Sequence, residues 1–319
     1  MRNRQFHEWP PIGITAGITA LLTGLLIATS CTNVVSTDPS LASSDKLASS
    51  DKVASEADPD ISTETAIAPA TKVVALTSLS SDLVETLASD VLVGVSGSSI
   101  VEADPRFDGL TVVSQRRSEP DLEKVIALEP DLVIGSMGFH DKTLQRMEEL
   151  NIPTMAYQIN SWEALDAFAQ ELATRLGADG SGVRDRLDAC LTQASDSPKA
   201  DSALILVSRQ PMLSPNKESW AGDFLNRFNI NNIAADWQGE SAFNGYINLS
   251  AEKVLEADPS ALLVIDTGEN SLEQFKSEPF WDKLKATQTE QVHTFEYFGL
   301  INPGSLASIE TVCEKLGSL

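Results

Sequence analysis

The chain has 319 residues, 42% of them hydrophobic, and a formal net charge of -23. That length and apolar content can bury two ordinary cores, and the acid excess excludes nucleic acid or anionic lipid as a broad-surface partner, because phosphate binding runs on clustered Lys and Arg. An anionic ligand would need a local basic pocket.

Arg2 and Arg4 precede an apolar run from Ile12 to Ala28, and Ile27-Ala-Thr-Ser30 leads into Cys31. This arrangement resembles a bacterial lipoprotein signal, which implies that residues 1–31 are a targeting segment and that Cys31 is lipidated. The protein would then be extracytoplasmic and held to a membrane by its lipid; a transmembrane anchor and an ordinary cleaved signal are the alternatives. Residues 32–72 are rich in Ser, Thr, Ala and Asp and contain the tandem Leu41-Ala-Ser-Ser-Asp-Lys46 and Leu47-Ala-Ser-Ser-Asp-Lys52. With little apolar surface to bury, this stretch reads as a disordered tether spanning roughly 30–40 Å.

The folded part begins with a predicted strand at 73–77, a helix over about 79–88, and strands at 91–95 and 110–113. A helix opened by Glu123 then leads through Pro130 into a strand at 132–134, and a helix over 142–150 leads into another at 153–156. The helix and strand recur in the second half: Glu123-Lys-Val-Ile-Ala-Leu-Glu-Pro130 before Asp-Leu-Val-Ile134 matches Glu252-Lys-Val-Leu-Glu-Ala-Asp-Pro259 before Ser-Ala-Leu-Leu-Val-Ile265. Between the copies, Leu165, Phe168, Leu172 and Leu176 mark a long helix over 162–176, and Val183, Leu187 and Leu191 mark a second. Further strands are predicted at 203–207, 230–234, 262–265 and 292–295. The expectation is an α/β fold of two Rossmann-like lobes with parallel-type sheets, residues 73–160 and 181–319, joined by one long α-helix within 161–180. Such a bridge bends less readily than paired extended hinges, so closure on a ligand should be limited.

In parallel sheets ligands gather at the carboxyl ends of the strands. The residues expected there include Ser78, Arg116, Arg117, Phe139, His140, Arg209, Trp237, Phe243, Tyr246 and Tyr297, with Trp220 at a helix start where core packing competes with ligand contact. Arginine binds carboxylate or hydroxamate oxygens through a planar fork, and aromatic faces cover the organic body of a chelate. No G-x-S-x-G, H-E-x-x-H, P-loop or dinucleotide fingerprint is present, and three histidines in the whole chain are few for a protein-held metal. An enzyme is not expected. Cys190 and Cys313 are open to either a disulfide or two buried thiols.

Several of these segments together carry a family resemblance. Arg117-Ser-Glu-Pro-Asp-Leu-Glu-Lys-Val-Ile-Ala-Leu-Glu-Pro-Asp-Leu-Val-Ile134, Ser208-Arg-Gln210, Ser219-Trp-Ala-Gly222, Trp237-Gln-Gly-Glu240 and Glu278-Pro-Phe-Trp-Asp-Lys-Leu-Lys-Ala286 resemble the substrate-binding proteins of ABC importers for iron-siderophores. The likeness covers about residues 72–319 and is nearest to the ferric-citrate and ferric-hydroxamate binders. It implies two lobes joined by one helix, a chelate in the cleft between them, and docking of a monomer on a two-fold permease dimer through one acid per lobe, here Glu123 and Glu252. Arg117 occupies the place of a ligand-holding arginine. Phe139 and Asn244 stand where the hydroxamate binders carry a tyrosine and a tryptophan, which favours a citrate-like or mixed-donor siderophore. The ligand would be an Fe(III)–siderophore complex, with the metal held by its chelator and no cofactor. Cobalamin, or haem with His140 or Tyr297 as axial ligand, is a same-fold alternative; an envelope sensor or scaffold without transport is another.

Overall fold

The computed structural model describes residues 68–115, 118–195, 201–239, 241–268 and 270–319. Cys31, the expected targeting segment, residues 32–67 of the expected tether, and Arg116 and Arg117 lie outside the described residues.

The first strand, β1 (Val73–Ala75), is buried on both faces. Val73 and Ala75 point into one apolar cluster while Val74 and Leu76 point into another, the alternation that a strand's two-residue period imposes. Strands β2 (Leu92–Gly97), β3 (Thr111–Gln115), β4 (Leu132–Ser136) and β5 (Thr154–Tyr157) complete a five-stranded sheet in the order β3-β2-β1-β4-β5. Every pairing is parallel, with Val73 opposite Leu132 and Val133 opposite Thr154. Helices cover both faces of such a sheet, which is why its strands read as continuous apolar runs rather than alternating ones. Those helices are α1 (Ser78–Ala88), α2 (Ser99–Ala103), α3 (Leu122–Ala127) and α4 (Asp141–Glu149). The strand order reverses at β1 and β4, so the crevice where ligands collect lies beyond the carboxyl ends of those two strands.

Helix α5 (Trp162–Leu176) runs over the residues expected from its apolar spacing. Ser161 caps it by accepting from Ala164 N, Gly177 ends it in the left-handed region at φ 63°, and Leu165, Phe168, Leu172 and Leu176 form its buried face. It continues into α6 (Ser181–Ser195) and then into the second lobe. The sheet strands of the first lobe all precede residue 158 and those of the second all follow 202, so the chain passes between the two sheets through this helical pair.

The second lobe begins with β6 (Ala203–Leu206), β7 (Ser208–Arg209), β8 (Met212–Pro215), α7 (Trp220–Arg227) and β9 (Tyr246–Asn248). It continues with α8 (Ala251–Ala257), β10 (Ala261–Asp266), α9 (Ser271–Lys276), α10 (Lys285–Gln288) and β11 (Val292–Glu296). A short turn, α11 (Tyr297–Leu300), and the helix α12 (Leu306–Gly317) follow. Its main sheet, β11-β10-β6, is parallel, while β7-β8-β9 form a small antiparallel sheet that parallel-type patterning does not anticipate. The predicted strand at 230–234 is absent: Asn232 makes a single bridge to Ala203, its Oδ1 accepts from Ala234 N and its Nδ2 donates to Pro215 O. The asparagine side chain thereby offers the backbone an alternative to the ladder.

One apolar cluster runs through both lobes, taking in Val73, Leu83, Leu165, Ile205, Leu263 and Ile309. Polar contacts cross at the same place. Asp82 on α1 accepts from Leu306 N, the first residue of α12, at 2.7 Å and from Arg106 Nη2 at 2.6 Å. Asp223 on α7 accepts from Trp162 N, the first residue of α5, at 2.8 Å. Each carboxylate sits at the N-terminus of a helix from elsewhere in the fold, where unpaired N–H groups and the helix dipole favour negative charge. Cys190 of α6 and Cys313 of α12 are disulfide-bonded, with Cα atoms 5.6 Å apart.

Candidate functional site

At the carboxyl end of β1, Thr77 caps α1 through a reciprocal pair of bonds with Ser80. Its hydroxyl also bonds the Tyr157 hydroxyl at the end of β5. Burial pushes the Tyr157 phenol up to about 12, so it stays neutral, and its ring stacks on Phe168 at 3.9 Å. Ser78 lies under this network and is itself buried. The loop after β4 is different in kind: Met137 and Phe139 are 48% and 79% exposed. Gly138 takes φ 78° with its N–H on Asp141 Oδ1, and His140 Nδ1 accepts from Ser136 N, so the turn is held from within while its apolar side chains face outward. Burial lowers the pKa of His140.

The second lobe brings Phe243, Tyr246, Tyr297 and Phe298 together. Phe243 meets Tyr246 edge-on at 6.4 Å, and Tyr297 meets Phe298 at 5.4 Å. Burial pushes the Tyr246 phenol well up, and the nearby Tyr297 adds to the shift. The Phe243–Tyr246 loop is seated by Gly245, whose φ is 77°; a Cβ there would stand 3.0 Å from the Ser219 backbone. Trp220 is buried, stacks on Trp162 at 5.6 Å, and donates from Nε1 to Gly299 O at 2.7 Å. The indole is therefore part of the core rather than an exposed ligand contact. Gly304 marks where the lobes meet, since a Cβ on it would collide with both the Phe298 ring and the Ile100 side chain on α2.

Two other expected residues lie apart from this aromatic group. Arg209 borders a cavity of about 210 Å3 within the second lobe and bonds Glu278. Trp237 packs on the second lobe's other apolar cluster, with Lys253 Nζ 4.3 Å from its ring centroid. Glu123 and Glu252 each occupy the second position of their helices, both exposed, behind Asp121 and Ser250 as caps. The repeat extends further than its letters: Val125 and Val254 are buried equivalents, and Glu129 and Asp258 both take left-handed φ, 50° and 38°, before the prolines. Trp162, Asp82 and Asp223 are contributors that sequence patterning does not single out; each reads as an ordinary helix residue until its partner is in view.

Among the described residues no group of three His, Cys, Asp or Glu could hold a metal ion, and no helix is long and apolar enough to cross a membrane. The side chains at the strand ends suit an organic ligand: exposed apolar groups on the first-lobe loop and partly polar aromatics on the second lobe.

Residues 73–296 match the family described as "Periplasmic binding protein". The chain is 25% identical over 187 residues to the Fe(3+) dicitrate-binding periplasmic protein FecB of Escherichia coli, covering 55% of this chain and 59% of that protein. It therefore spans less than two thirds of that relative's length. An ABC transporter substrate-binding protein from Listeria monocytogenes shares the fold, with a TM-score of 0.62 at 18% identity over 77% of this chain and 98% of that one. The Staphylococcus aureus protein IsdE, solved in complex with heme, gives a TM-score of 0.62 at 19% identity over 77% and 97%.

Proposed function

The chain belongs to the periplasmic binding protein family, and from that premise we propose that it captures a ferric chelate outside the cytoplasmic membrane and delivers it to an ABC permease. The likeness to an iron-dicitrate binding protein is the observation that carries the choice of ligand. The haem and cobalamin alternatives rest on fold likeness alone. The chemistry at the strand ends supports an organic chelate: Phe139 on the first-lobe loop and Phe243 on the second lobe present exposed rings that can cover its organic body. In this reading the protein binds and releases its ligand without transforming it, works as a monomer, and is held to the membrane by lipid on Cys31 through the tether of residues 32–72. Residues 73–160 and 181–319 act as the lobes, Arg117 helps to hold the ligand, and Glu123 and Glu252 meet the two halves of the permease.

Equilibrium dialysis against radio-iron presented as ferric citrate, as a ferric trihydroxamate and as a weakly chelated ferric salt tests this reading. Retention of iron with a chelate, and none with the weakly chelated salt, is expected. Retention independent of the chelator would show that protein side chains hold the metal and would overturn it.

A further inference from the structure

The segment Glu278-Pro-Phe-Trp has no role in the cleft, yet it is firmly placed. Phe280 and Trp281 are buried, Glu278 N donates to Phe275 O, and Trp281 N donates to Glu278 O, both at 3.0 Å. This fixes the Glu278 carboxylate against Arg209, which is itself held in β7 opposite Met212. The two residues are 69 positions apart, so tertiary structure alone brings them together.

The contact between them is loose. A single nitrogen makes the bond, with Arg209 Nη1 reaching Glu278 Oε1 at 3.2 Å. Elsewhere in the molecule Arg186 grips Glu310 through two nitrogens at 2.6 and 2.8 Å. Charge-assisted bonds settle at about 2.7–2.9 Å and guanidinium prefers the two-pronged form, so Arg209 makes less of a carboxylate than its fork allows. It does so at the edge of the 210 Å3 cavity, which Gln210, Thr267, Ser271, Gln274 and Phe275 also line at the carboxyl ends of β6 and β10. Clefts for whole organic ligands run about 300–1,000 Å3, so this cavity suits one arm of a ligand.

We propose that this cavity is a carboxylate subsite, and that Glu278 is an internal stand-in for the ligand's carboxylate. It keeps Arg209 aimed at the cavity mouth and yields it to a carboxylate arm of the incoming chelate. The subsite rests on the ferric-chelate reading for the identity of its ligand. It makes Glu278 a competitor, so the two partners of one ion pair should affect binding in opposite directions: losing Arg209 weakens binding, and losing the charge of Glu278 strengthens it.

Calorimetric titration of the full-length chain and its Arg209→Ala, Arg209→Lys and Glu278→Gln variants tests this, with ferric dicitrate, a neutral ferric trihydroxamate and iron-free citrate as probes. For ferric dicitrate we expect Arg209→Ala to weaken binding by about tenfold or more, Arg209→Lys to fall between it and the wild type, and Glu278→Gln to tighten binding about two- to tenfold. Any affinity for the neutral chelate should change less than about twofold in all three. If Arg209→Ala and Glu278→Gln both weaken ferric dicitrate binding, or neither changes it, the pair is a structural ion pair and the subsite is overturned while the ferric-chelate reading stands. If the wild type binds no ferric chelate, that reading falls and citrate decides the subsite: opposite effects of the two substitutions on citrate affinity support it, and no citrate binding overturns it.

Discussion

Asp82 shows how one side chain can fix two lobes. Its carboxylate is 2% exposed, and it accepts from Arg106 on its own lobe and from the first N–H of α12 on the other. Removing it takes one partner from Arg106, which is part-exposed and keeps its bonds to Asp104, and leaves Leu306 N unsatisfied. Leaving a buried N–H without its acceptor costs about 1–3 kcal/mol. Asp82→Ala should therefore lower the urea unfolding free energy by about that amount, while Asp82→Asn, which can still accept from Leu306 N, should cost less. Equal stability of Asp82→Ala and wild type would show that the contact holds nothing. None of this is legible in Ser80-Ser-Asp82, because the partners lie 24 and 224 residues away. The aromatic residues are a middle case. Sequence marks Trp220, Phe243, Tyr246 and Tyr297 as candidates, but only the structure separates the buried Trp220 from the exposed Phe243.

Among elements, the repeated helices α3 and α8 are the most readable, since the repeated acid, the apolar valine position and the closing proline follow from local chemistry, whereas the left-handed Glu129 and Asp258 do not. Helix α5 was equally plain because its apolar stripe, serine cap and terminal glycine agree. The β7-β8-β9 sheet was not, because β7 has two residues and β8 ends in a proline that argues against a strand. The α3–α8 equivalence carries a prediction about delivery. Rim charges chiefly steer and register a partner, so Glu123→Ala and Glu252→Ala should leave ligand affinity nearly unchanged and impair iron uptake by cells, the double variant more than either single one. Undiminished uptake by the folded double variant would show that the acids serve only their helix dipoles, worth about 1 kcal/mol or less each.

At the scale of the molecule, both described histidines are held below their ordinary value of 6.5, His140 by burial and His293 by burial together with the Lys315 charge. Each binds a proton more readily in the unfolded chain. Their contribution to stability is therefore complete above about pH 6.5 and is lost as pH falls through that value towards the folded one. The urea midpoint should drop between about pH 7.5 and about pH 5.5, and a His140→Gln, His293→Gln double variant should show a flatter profile. An identical slope in the two proteins would place the protons elsewhere. The apolar cluster that runs through both lobes, with the Asp82 and Asp223 caps, adds contacts that a closing motion would have to break, beside the single helical crossing on which the sequence-based expectation of limited closure rests.

The Trp162–Trp220 stack, bonded to the Gly299 turn, supplies a native reporter for the ligand class. Tryptophan fluorescence should be followed as the protein is titrated in parallel with ferric citrate, a ferric hydroxamate, haem and cobalamin. Saturable quenching with a ferric chelate, at one ligand per chain, is expected, with much weaker responses to haem and cobalamin. Saturable binding of haem or cobalamin with no response to any ferric chelate would contradict the ferric-chelate reading.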